Sequence, residues 1–255
     1  MDYAIVNVPA APVRRKARHQ REMVNQLLFG EVVEILKEKN SLWVKVRSLH
    51  DDYTGWMTKT LLKTVEENEA LSINQYVTTG MVNSIHFGER KMNIPIGSSL
   101  PGFASGKGML GDSDYSFEGN FINRMEMLPN GYLIEQLTAQ WLNAPYQWGG
   151  RTIFVVDCSG FVQVNYKMMG LDLSRDAWQQ AQQGNTVKKI KDAVCGDLAF
   201  FDDKEEIVHV GILLNAEKII HASGRVRIDA IDKKGIINSD TQKRTHVLRS
   251  IKRYW

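Results

Sequence analysis

One of the two cysteines of the chain stands where covalent chemistry is feasible. Cys158 lies in "DCSGF" (157–161), between the apolar run "TIFVV" and a helix-like stretch that ends at Gly170. A thiol attacks a carbonyl as its thiolate, and a free cysteine keeps its proton up to about pH 8.5. The N-terminus of a helix and a nearby imidazolium both lower that pKa. Because Cys158 opens a predicted helix, the sequence supplies the first of these two devices.

Two histidines lie inside apolar, strand-like runs. His209 is in "IVHVGILL" and His221 is in "KIIHAS". An unpaired polar group in such surroundings costs free energy, so each imidazole needs a partner. Adjacent antiparallel strands would place the two rings in a row, with His209 as the base toward Cys158 and His221 orienting it. The residues therefore predict a Cys–His–His triad, with His221 in the place of the more familiar carboxamide or carboxylate.

Other roles for Cys158 remain open from the residues alone. A lone cysteine is usually a packed small hydrophobe, which is the role we expect for Cys195. Two cysteines do not make a disulfide framework, and no tight Cys/His spacing supports a metal site, so we expect neither metal nor cofactor. A lone strand histidine is also more often a satisfied core residue than a catalyst, so the triad stays one hypothesis among several.

Net charge and hydropathy limit the kinds of partner that the protein is expected to bind. The net charge of +3 is too small to indicate nucleic acid, and the basic run from Arg14 to Arg21 is interpreted as a solvated surface segment. Apolar segments all fall short of the roughly 18–20 residues that span a bilayer, so we expect no membrane partner. The N-terminus lacks the pattern of a secretory signal. We therefore expect a cytoplasmic protein, or a periplasmic or extracellular one if a leader was removed.

The chain divides into three stretches, 1–65, 66–129 and 130–255. In the first, the strand-like runs 31–36 and 42–49 are followed by a turn at "GW" (55–56), which predicts a small β-barrel. The second is rich in Gly, Ser and Pro and predicts another small β unit with long loops. The third opens with a helical stripe capped by Asn130 and then carries consecutive strands. Helices followed by strands predict an α+β domain with an antiparallel sheet.

Five motifs in the third stretch occur in a characteristic order: "PYQWGG", "DCSGFVQ", "GDLAFF", "HVGILL" and "IIHAS", across 145–223. Together they resemble the NlpC/P60 family of cysteine peptidases. The segments "VVEIL", "WVKV" and "YTGWM" are similar to a bacterial SH3 domain, although Asp52 stands where that motif normally has glycine. The resemblance implies a papain-like catalytic domain at 130–255, a bacterial SH3-like domain at 1–65 and a second SH3-like or linker domain at 66–129.

Within that family, the chain resembles the γ-D-glutamyl-L-diamino acid endopeptidases of the dipeptidyl-peptidase VI type. The resemblance implies cleavage after D-Glu in peptidoglycan-derived peptides with a free N-terminal L-Ala, as in muropeptide recycling. Carried over, Cys158 attacks, His209 is base and then acid, and His221 orients it. Tyr146 and the backbone N–H of Cys158 would stabilise the oxyanion, because such donors match charge that develops in the transition state.

Recognition of the L-Ala ammonium requires a pocket with negative charge. The resemblance implies that this pocket contains Asp157, Ser159, Asp176, Glu22 and Tyr53. A buried carboxylate that faces an ammonium rejects substrates without that charge, because it would be left unpaired. Trp148 is a further candidate for substrate contact, although packing is the favoured interpretation for it.

Two alternatives to this peptidase remain. One is a non-catalytic cell-wall-binding module on a peptidase fold, and the other is an amidase or acyltransferase that uses the same triad. The sequence predicts neither the identity of the diamino acid nor the oligomeric state.

Overall fold

The computed structural model describes residues 2–72, 75–203 and 206–255. The chain forms two compact units, Met1–Met127 and Leu128–Trp255. Helices within the described ranges are all too short or too polar to cross a membrane.

The first unit consists almost entirely of β-strands. A short helix, α1 (Glu67–Ala70), and a 3-10 turn (Lys59–Leu61) interrupt them. The strands are β1 (Asp2–Val6), β2 (Ala10–Arg14), β3 (Met23–Leu28), β4 (Val32–Glu38), β5 (Trp43–Ser48), β6 (Thr54–Thr58), β7 (Leu62–Val65), β8 (Tyr76–Thr78), β9 (Val82–Phe87), β10 (Arg90–Pro95), β11 (Lys107–Leu110), β12 (Ser113–Phe117) and β13 (Phe121–Asn123).

Strands β1 to β7 form one antiparallel sheet in the order β3-β2-β6-β5-β4-β1-β7. Alternate residues of β5 are buried, so Val44 and Val46 point into the same apolar core. The two predicted strand runs are β4 and β5, and the prediction of a small SH3-like barrel is confirmed.

The turn after β5 lies earlier than the sequence predicted. Asp52 occupies it with φ +56°, a left-handed conformation that favours glycine and that aspartate tolerates better than most residues. Gly55 and Trp56 lie inside β6 instead, so the predicted turn at these two residues is wrong. Gly55 is required there by packing, because a Cβ at this position would overlap the side chain of Val13 on β2.

The remaining strands of this unit form a sheet in the order β10-β9-β12-β11 and a pair, β13-β8. They share a hydrophobic core with the first barrel, which contributes Phe29, while the later strands contribute Ile85 and Phe117. The backbone N–H of Ser99 donates to the carbonyl of Phe29 at 3.0 Å. The sequence division at residue 65 thus falls inside one compact unit, and the three-domain division stays a prediction.

The second unit contains the α+β arrangement that the sequence predicts. Its helices are α2 (Gly131–Ala139), α3 (Cys158–Met168) and α4 (Ala177–Gln180), with a 3-10 turn at Ile190–Asp192. Its strands are β14 (Arg151–Thr152), β15 (Val155–Val156), β16 (Asn185–Thr186), β17 (Leu198–Asp203), β18 (Glu206–Leu213), β19 (Lys218–Ser223), β20 (Arg225–Asp232), β21 (Gly235–Ile237) and β22 (Arg244–Arg253).

The long strands of this unit pair in the order β22-β17-β18-β19-β20-β21, and β21 also pairs with β22, so this antiparallel sheet closes on itself. Its interior is apolar and includes Phe201 and Ile219. Helix α2 begins as predicted, because the Asn130 side chain accepts a hydrogen bond from the Leu133 N–H at 2.9 Å. Helix α3 packs on β18 and β19 and brings its first residue, Cys158, to the sheet.

The shared core of the first unit predicts different costs for two glycine substitutions. Gly30 and Gly88 both have positive φ, at +76° and +58°, so an alanine is strained at either position. A Cβ at Gly30 would also overlap the Ser99 carbonyl oxygen, whereas a Cβ at Gly88 meets nothing within 4 Å. We expect Gly30→Ala to lower the free energy of unfolding by about 1–3 kcal/mol more than Gly88→Ala.

Hydrogen exchange of the full chain, followed by mass spectrometry, measures this difference. Gly30→Ala should accelerate exchange in both β4 and β9, since the two strands contribute to adjoining parts of one unit. Equal effects of the two substitutions, or an effect confined to β4, would contradict the shared core.

Candidate active site

Cys158 is the first residue of α3, directly after the strand β15. The Asp157 side chain caps this helix, because its Oδ1 accepts a hydrogen bond from the Gly160 N–H at 2.7 Å. The Cys158 side chain is buried, with 5% exposure, and its thiol is free. The backbone N–H of Val210 hydrogen-bonds to the Cys158 sulfur. Because Val210 directly follows His209 on β18, the fold brings the cysteine to the strand that carries this histidine.

The two strand histidines contact each other, as antiparallel pairing of their strands predicts. Strands β18 and β19 are neighbours, and His209 Nε2 lies 2.8 Å from His221 Nδ1. On its other side, His221 Nε2 lies 3.0 Å from Asp229 Oδ2. All three side chains are buried. The result is a continuous row of hydrogen-bonded groups across β18, β19 and β20.

Burial is the largest influence on the pKa values of Cys158 and His209. It raises the pKa of Cys158 to about 12, with a smaller contribution from the Asp157 charge, although the N–H groups of Val210 and Ser159 oppose the shift. Burial also lowers the pKa of His209 well below 6.5, followed by the repulsion that His221 and His246 exert on its imidazolium when they are protonated. The expected lowering of the thiol pKa is therefore wrong, because loss of solvent outweighs the helix N-terminus. Burial thus favours the neutral forms of both the Cys158 thiol and the His209 imidazole.

Tyr146 lies close to the cysteine. Its segment is fixed by the Tyr146 N–H, which donates to the Gly224 carbonyl at 3.0 Å, and by a bridge between Pro145 and Arg225. Burial, followed by the charges of Cys158 and Asp157, raises the Tyr146 pKa above its ordinary value. The phenol therefore keeps its proton and can donate a hydrogen bond toward the neighbourhood of the sulfur.

Asp157 forms a buried ion pair that the sequence did not predict. Arg175 donates from Nη2 to Asp157 Oδ2 at 2.6 Å and from Nη1 to Asp157 Oδ1 at 3.0 Å. The Gly149 N–H also donates to Asp157 Oδ2, at 2.7 Å. Both carboxylate oxygens thus accept hydrogen bonds from within the protein, and the direct contact of Asp157 with a substrate ammonium stays a prediction. The adjacent residues "RD" in "SRDA" were the only sequence signal for Arg175.

The same arginine connects the starts of α3 and α4. Arg175 Nη1 donates to Ser159 Oγ at 2.8 Å. The next residue, Asp176, is half-buried and forms a capping box at the start of α4 with Gln179. The structure thus joins Asp157 and Ser159, the residues on either side of Cys158, through Arg175, and Asp176 follows that arginine at the start of α4.

Trp148 follows Tyr146 in the same loop, and 52% of its surface is exposed. The packing role that we favoured for Trp148 is therefore wrong, and its contact with a ligand stays a prediction. Cys195, expected to be a packed small hydrophobe, is only half-buried, and its thiol donates to the Gly131 carbonyl at 3.2 Å.

The two remaining pocket candidates belong to the first unit. Glu22 is exposed, and its carboxylate pairs with Arg15 Nε at 2.8 Å. Tyr53 is partly buried against the core of the first barrel. Their participation in the pocket stays a prediction.

Sequence reasoning missed Asp229 and His246. Asp229 shares a face of β20 with Ile231, two residues further on, and this apolar neighbour was the available signal for an inward-facing carboxylate. The His246 ring on β22 stacks on His209, with centroids 4.3 Å apart and planes at 26°. No sequence signal predicted that contact, since it depends on closure of the sheet. Within the described ranges, no group of three or more His, Cys, Asp or Glu side chains suits a metal ion.

Comparison with known proteins agrees with this geometry. Residues 143–245 match the NlpC/P60 family, and residues 13–62 match the bacterial dipeptidyl-peptidase Sh3 domain. A solved NlpC/P60 family protein from Bacillus cereus ATCC 10987 has the same fold, with a TM-score of 0.83 at 20% identity over 99% of both chains.

Two curated relatives differ in how much of the chain they cover. The murein DD-endopeptidase/murein LD-carboxypeptidase of Escherichia coli (strain K12) is 36% identical over 86 residues, which are 33% of this chain and 45% of that protein. The γ-D-glutamyl-L-lysine dipeptidyl-peptidase of Bacillus subtilis (strain 168) is 31% identical over 216 residues, which are 77% of this chain and 71% of that protein. The resemblance seen in the motifs is thereby confirmed, and the chain belongs to the NlpC/P60 family of peptidases, with a bacterial SH3 domain in its first unit.

Proposed function

We propose that the protein is a cysteine peptidase that hydrolyses the γ-D-Glu–diamino acid bond of peptidoglycan-derived peptides with a free N-terminal L-Ala. The observation that carries the proposal is the position of Cys158 at the start of α3, where its sulfur meets the N–H of Val210 next to His209 and where Asp157, Arg175 and Ser159 form a cluster. Relatives named γ-D-glutamyl-L-lysine dipeptidyl-peptidase, from Bacillus subtilis and Bacillus cereus, support the substrate class. The role fits recycling of released muropeptides, and we propose the cytoplasm as its location.

The neutral thiol and the neutral imidazole set the first step of the reaction. Because the Cys158 thiol keeps its proton, transfer of that proton to His209 accompanies attack of the sulfur on the γ-carbonyl carbon of D-Glu. The tetrahedral oxyanion is stabilised by the Cys158 N–H and the Tyr146 hydroxyl. The protonated His209 then donates its proton to the leaving amine of the diamino acid, and a thioester of L-Ala-D-Glu remains on the sulfur.

Hydrolysis of the thioester uses the same groups in reverse. His209, neutral again, takes a proton from water, and the resulting hydroxide adds to the thioester carbonyl. Collapse of this second tetrahedral species breaks the C–S bond, and the sulfur recovers its proton from His209. The products are L-Ala-D-Glu and the shortened peptide with a new free amine.

The substrate ammonium is the feature that selects this class of peptide. Ser159 directly follows Cys158, and Asp176 directly follows Arg175, which binds both Asp157 and Ser159. Our proposal assigns the ammonium to Ser159 and Asp176 and gives Trp148 a contact with the peptide. A substrate with a neutral N-terminus would bring no positive charge to the carboxylate of this pocket and would bind less well.

The first prediction concerns the free amine of the substrate. L-Ala-γ-D-Glu-L-Lys and its meso-diaminopimelate counterpart should be cleaved, whereas their N-acetylated forms should show kcat/KM at least about 100-fold lower. Mass spectrometry of the products identifies the bond that is broken. Cys158→Ala should abolish cleavage, and Cys195→Ala, which removes the other free thiol, should leave it unchanged. Equal cleavage of free and acetylated peptides would contradict the ammonium pocket.

The second prediction concerns the Tyr146 hydroxyl. Tyr146→Phe keeps the ring and removes the proposed oxyanion donor, so kcat should fall roughly 100-fold while KM changes little. Tyr132→Phe is the matched control, because Tyr132 is an exposed tyrosine of the same unit whose hydroxyl accepts only from Gln136 among the described contacts. Steady-state kinetics on the same peptide measures both variants. A Tyr146→Phe enzyme with unchanged kcat would remove the tyrosine from the mechanism.

The third prediction concerns pH. Neutral His209 is the working base, and its pKa is well below 6.5, so kcat/KM should persist below pH 6.5 and fall only when the imidazole takes up a proton. On the alkaline side, kcat/KM should fall near pH 8, where the α-amino group of the substrate loses its charge. Initial rates from about pH 4.5 to about pH 9.5 test both limbs, with circular dichroism as the control for folding. An acidic limb centred above pH 6.5 would contradict a buried neutral base.

A further inference from the structure

The histidine row ends at the carboxylate of Asp229, which accepts several hydrogen bonds from neighbouring residues. Asp229 is 2% exposed, and its Oδ2 faces His221 Nε2 at 3.0 Å. Its other oxygen, Oδ1, accepts from the Ser239 N–H at 2.9 Å and from the Ser239 hydroxyl at 2.7 Å. Arg227 also donates to Oδ1, from Nε at 3.1 Å and from Nη2 at 3.0 Å. The two oxygens therefore have distinct tasks, since one is fixed by the protein and the other faces the imidazole.

The arginine that fixes Asp229 is itself held in place. Arg227 Nη1 donates to Asp240 Oδ2 at 2.8 Å, and Arg227 Nη2 donates to Ser239 Oγ at 3.0 Å. Burial raises the pKa of Asp229, but hydrogen bonds from His221, Ser239 and Arg227 outweigh it and keep the pKa well below its usual range. The carboxylate is thus ionised at neutral pH and offers only lone pairs.

These contacts determine where the protons of the row lie. A carboxylate cannot donate, so the 3.0 Å contact requires the hydrogen on His221 Nε2. A neutral His221 then has its lone pair on Nδ1, so the hydrogen of the 2.8 Å contact belongs to His209 Nε2. A neutral imidazole has one N–H and one lone pair, and the lone pair of His209 is consequently on Nδ1.

We propose that Asp229 is a positioning residue, which acts through His221 to hold His209 in the tautomer whose Nδ1 serves as the base. The inference rests on the proposed cysteine peptidase function, since it assigns the base of that reaction to one atom. Asp229 touches neither substrate nor sulfur in this scheme. Its contribution is the direction of the hydrogen bonds along the row.

Replacement of Asp229 by asparagine reverses the direction of the hydrogen bonds along the histidine row. The Oδ1 position receives four donated hydrogen bonds, so the amide oxygen of an asparagine would occupy it and the NH₂ group would face His221. The amide then donates to His221 Nε2, His221 Nδ1 carries the hydrogen, and His209 Nε2 accepts it. The hydrogen of a neutral His209 would then lie on Nδ1, and the base would be lost with little change in shape.

Asp229→Asn should lower kcat roughly 1,000- to 10,000-fold, the scale seen when an amide fixes a catalytic histidine in the wrong tautomer. KM should change by less than about threefold, because no substrate contact is removed. The matched control is Asp232→Asn on the same strand, where the aspartate pairs with Arg244 at 2.7 Å near the surface. This control should retain the kcat of the unmodified protein.

Nitrogen-15 NMR of the histidine side chains tests the tautomers without any substrate. In the unmodified protein, His209 and His221 should both be protonated at Nε2, and in Asp229→Asn both should be protonated at Nδ1. A His209 protonated at Nδ1 in the unmodified protein overturns the proposal even if the variant does not fold, as does an Asp229→Asn enzyme with unchanged kcat. Failure to cleave the muropeptide would reject the proposed function alone, because the NMR result does not depend on the substrate.

Discussion

The carboxylate of Asp157 accepts hydrogen bonds from three separate segments of the second unit. It caps the helix that begins at Cys158, it receives the N–H of Gly149 from the loop that carries Tyr146, and it pairs with Arg175 beside Asp176. The residues proposed as nucleophile, oxyanion donor and ammonium ligand thus lie on segments that one buried charge connects. Removing one partner of a buried ion pair typically costs 3–5 kcal/mol because the other charge is left uncompensated. Disturbance of Asp157 would therefore disorganise the whole site and not only the helix cap.

Burial has opposite effects on the two sides of the site. On the cysteine side it disfavours the thiolate, and on the histidine side it disfavours the imidazolium. Burial thus favours the neutral thiol and the neutral imidazole over a thiolate–imidazolium pair. Such an arrangement limits adventitious reactions of the thiol, because the reactive thiolate is scarce in the resting state.

Much of this organisation follows from the sequence, but the polar contacts that support the site do not. The apolar strands around His209 and His221 predicted their contact, and the helical stripe with Asn130 predicted the start of α2. Arg175 was missed because its contacts with Asp157 and Ser159 depend on how the segment before α4 meets the start of α3. His246 was missed because its ring meets that of His209 only in the folded sheet. The turn near Asp52 was misplaced because Gly55 was interpreted as a turn residue, whereas packing against Val13 demands it inside a strand. Local patterns thus predicted which residues face the core but not which polar groups meet there.

The core that joins the two β segments of the first unit limits how this region can be transplanted. Phe29, Tyr3 and Ile5 belong to the segment 1–65, yet they pack in the same cluster as Phe103 and Phe117. A chimera that carried residues 1–65 alone would expose these side chains to water and would be prone to aggregation. The SH3-like barrel therefore depends on the strands that follow it. Evolutionary exchange or engineering of this region would have to move residues 1–127 together.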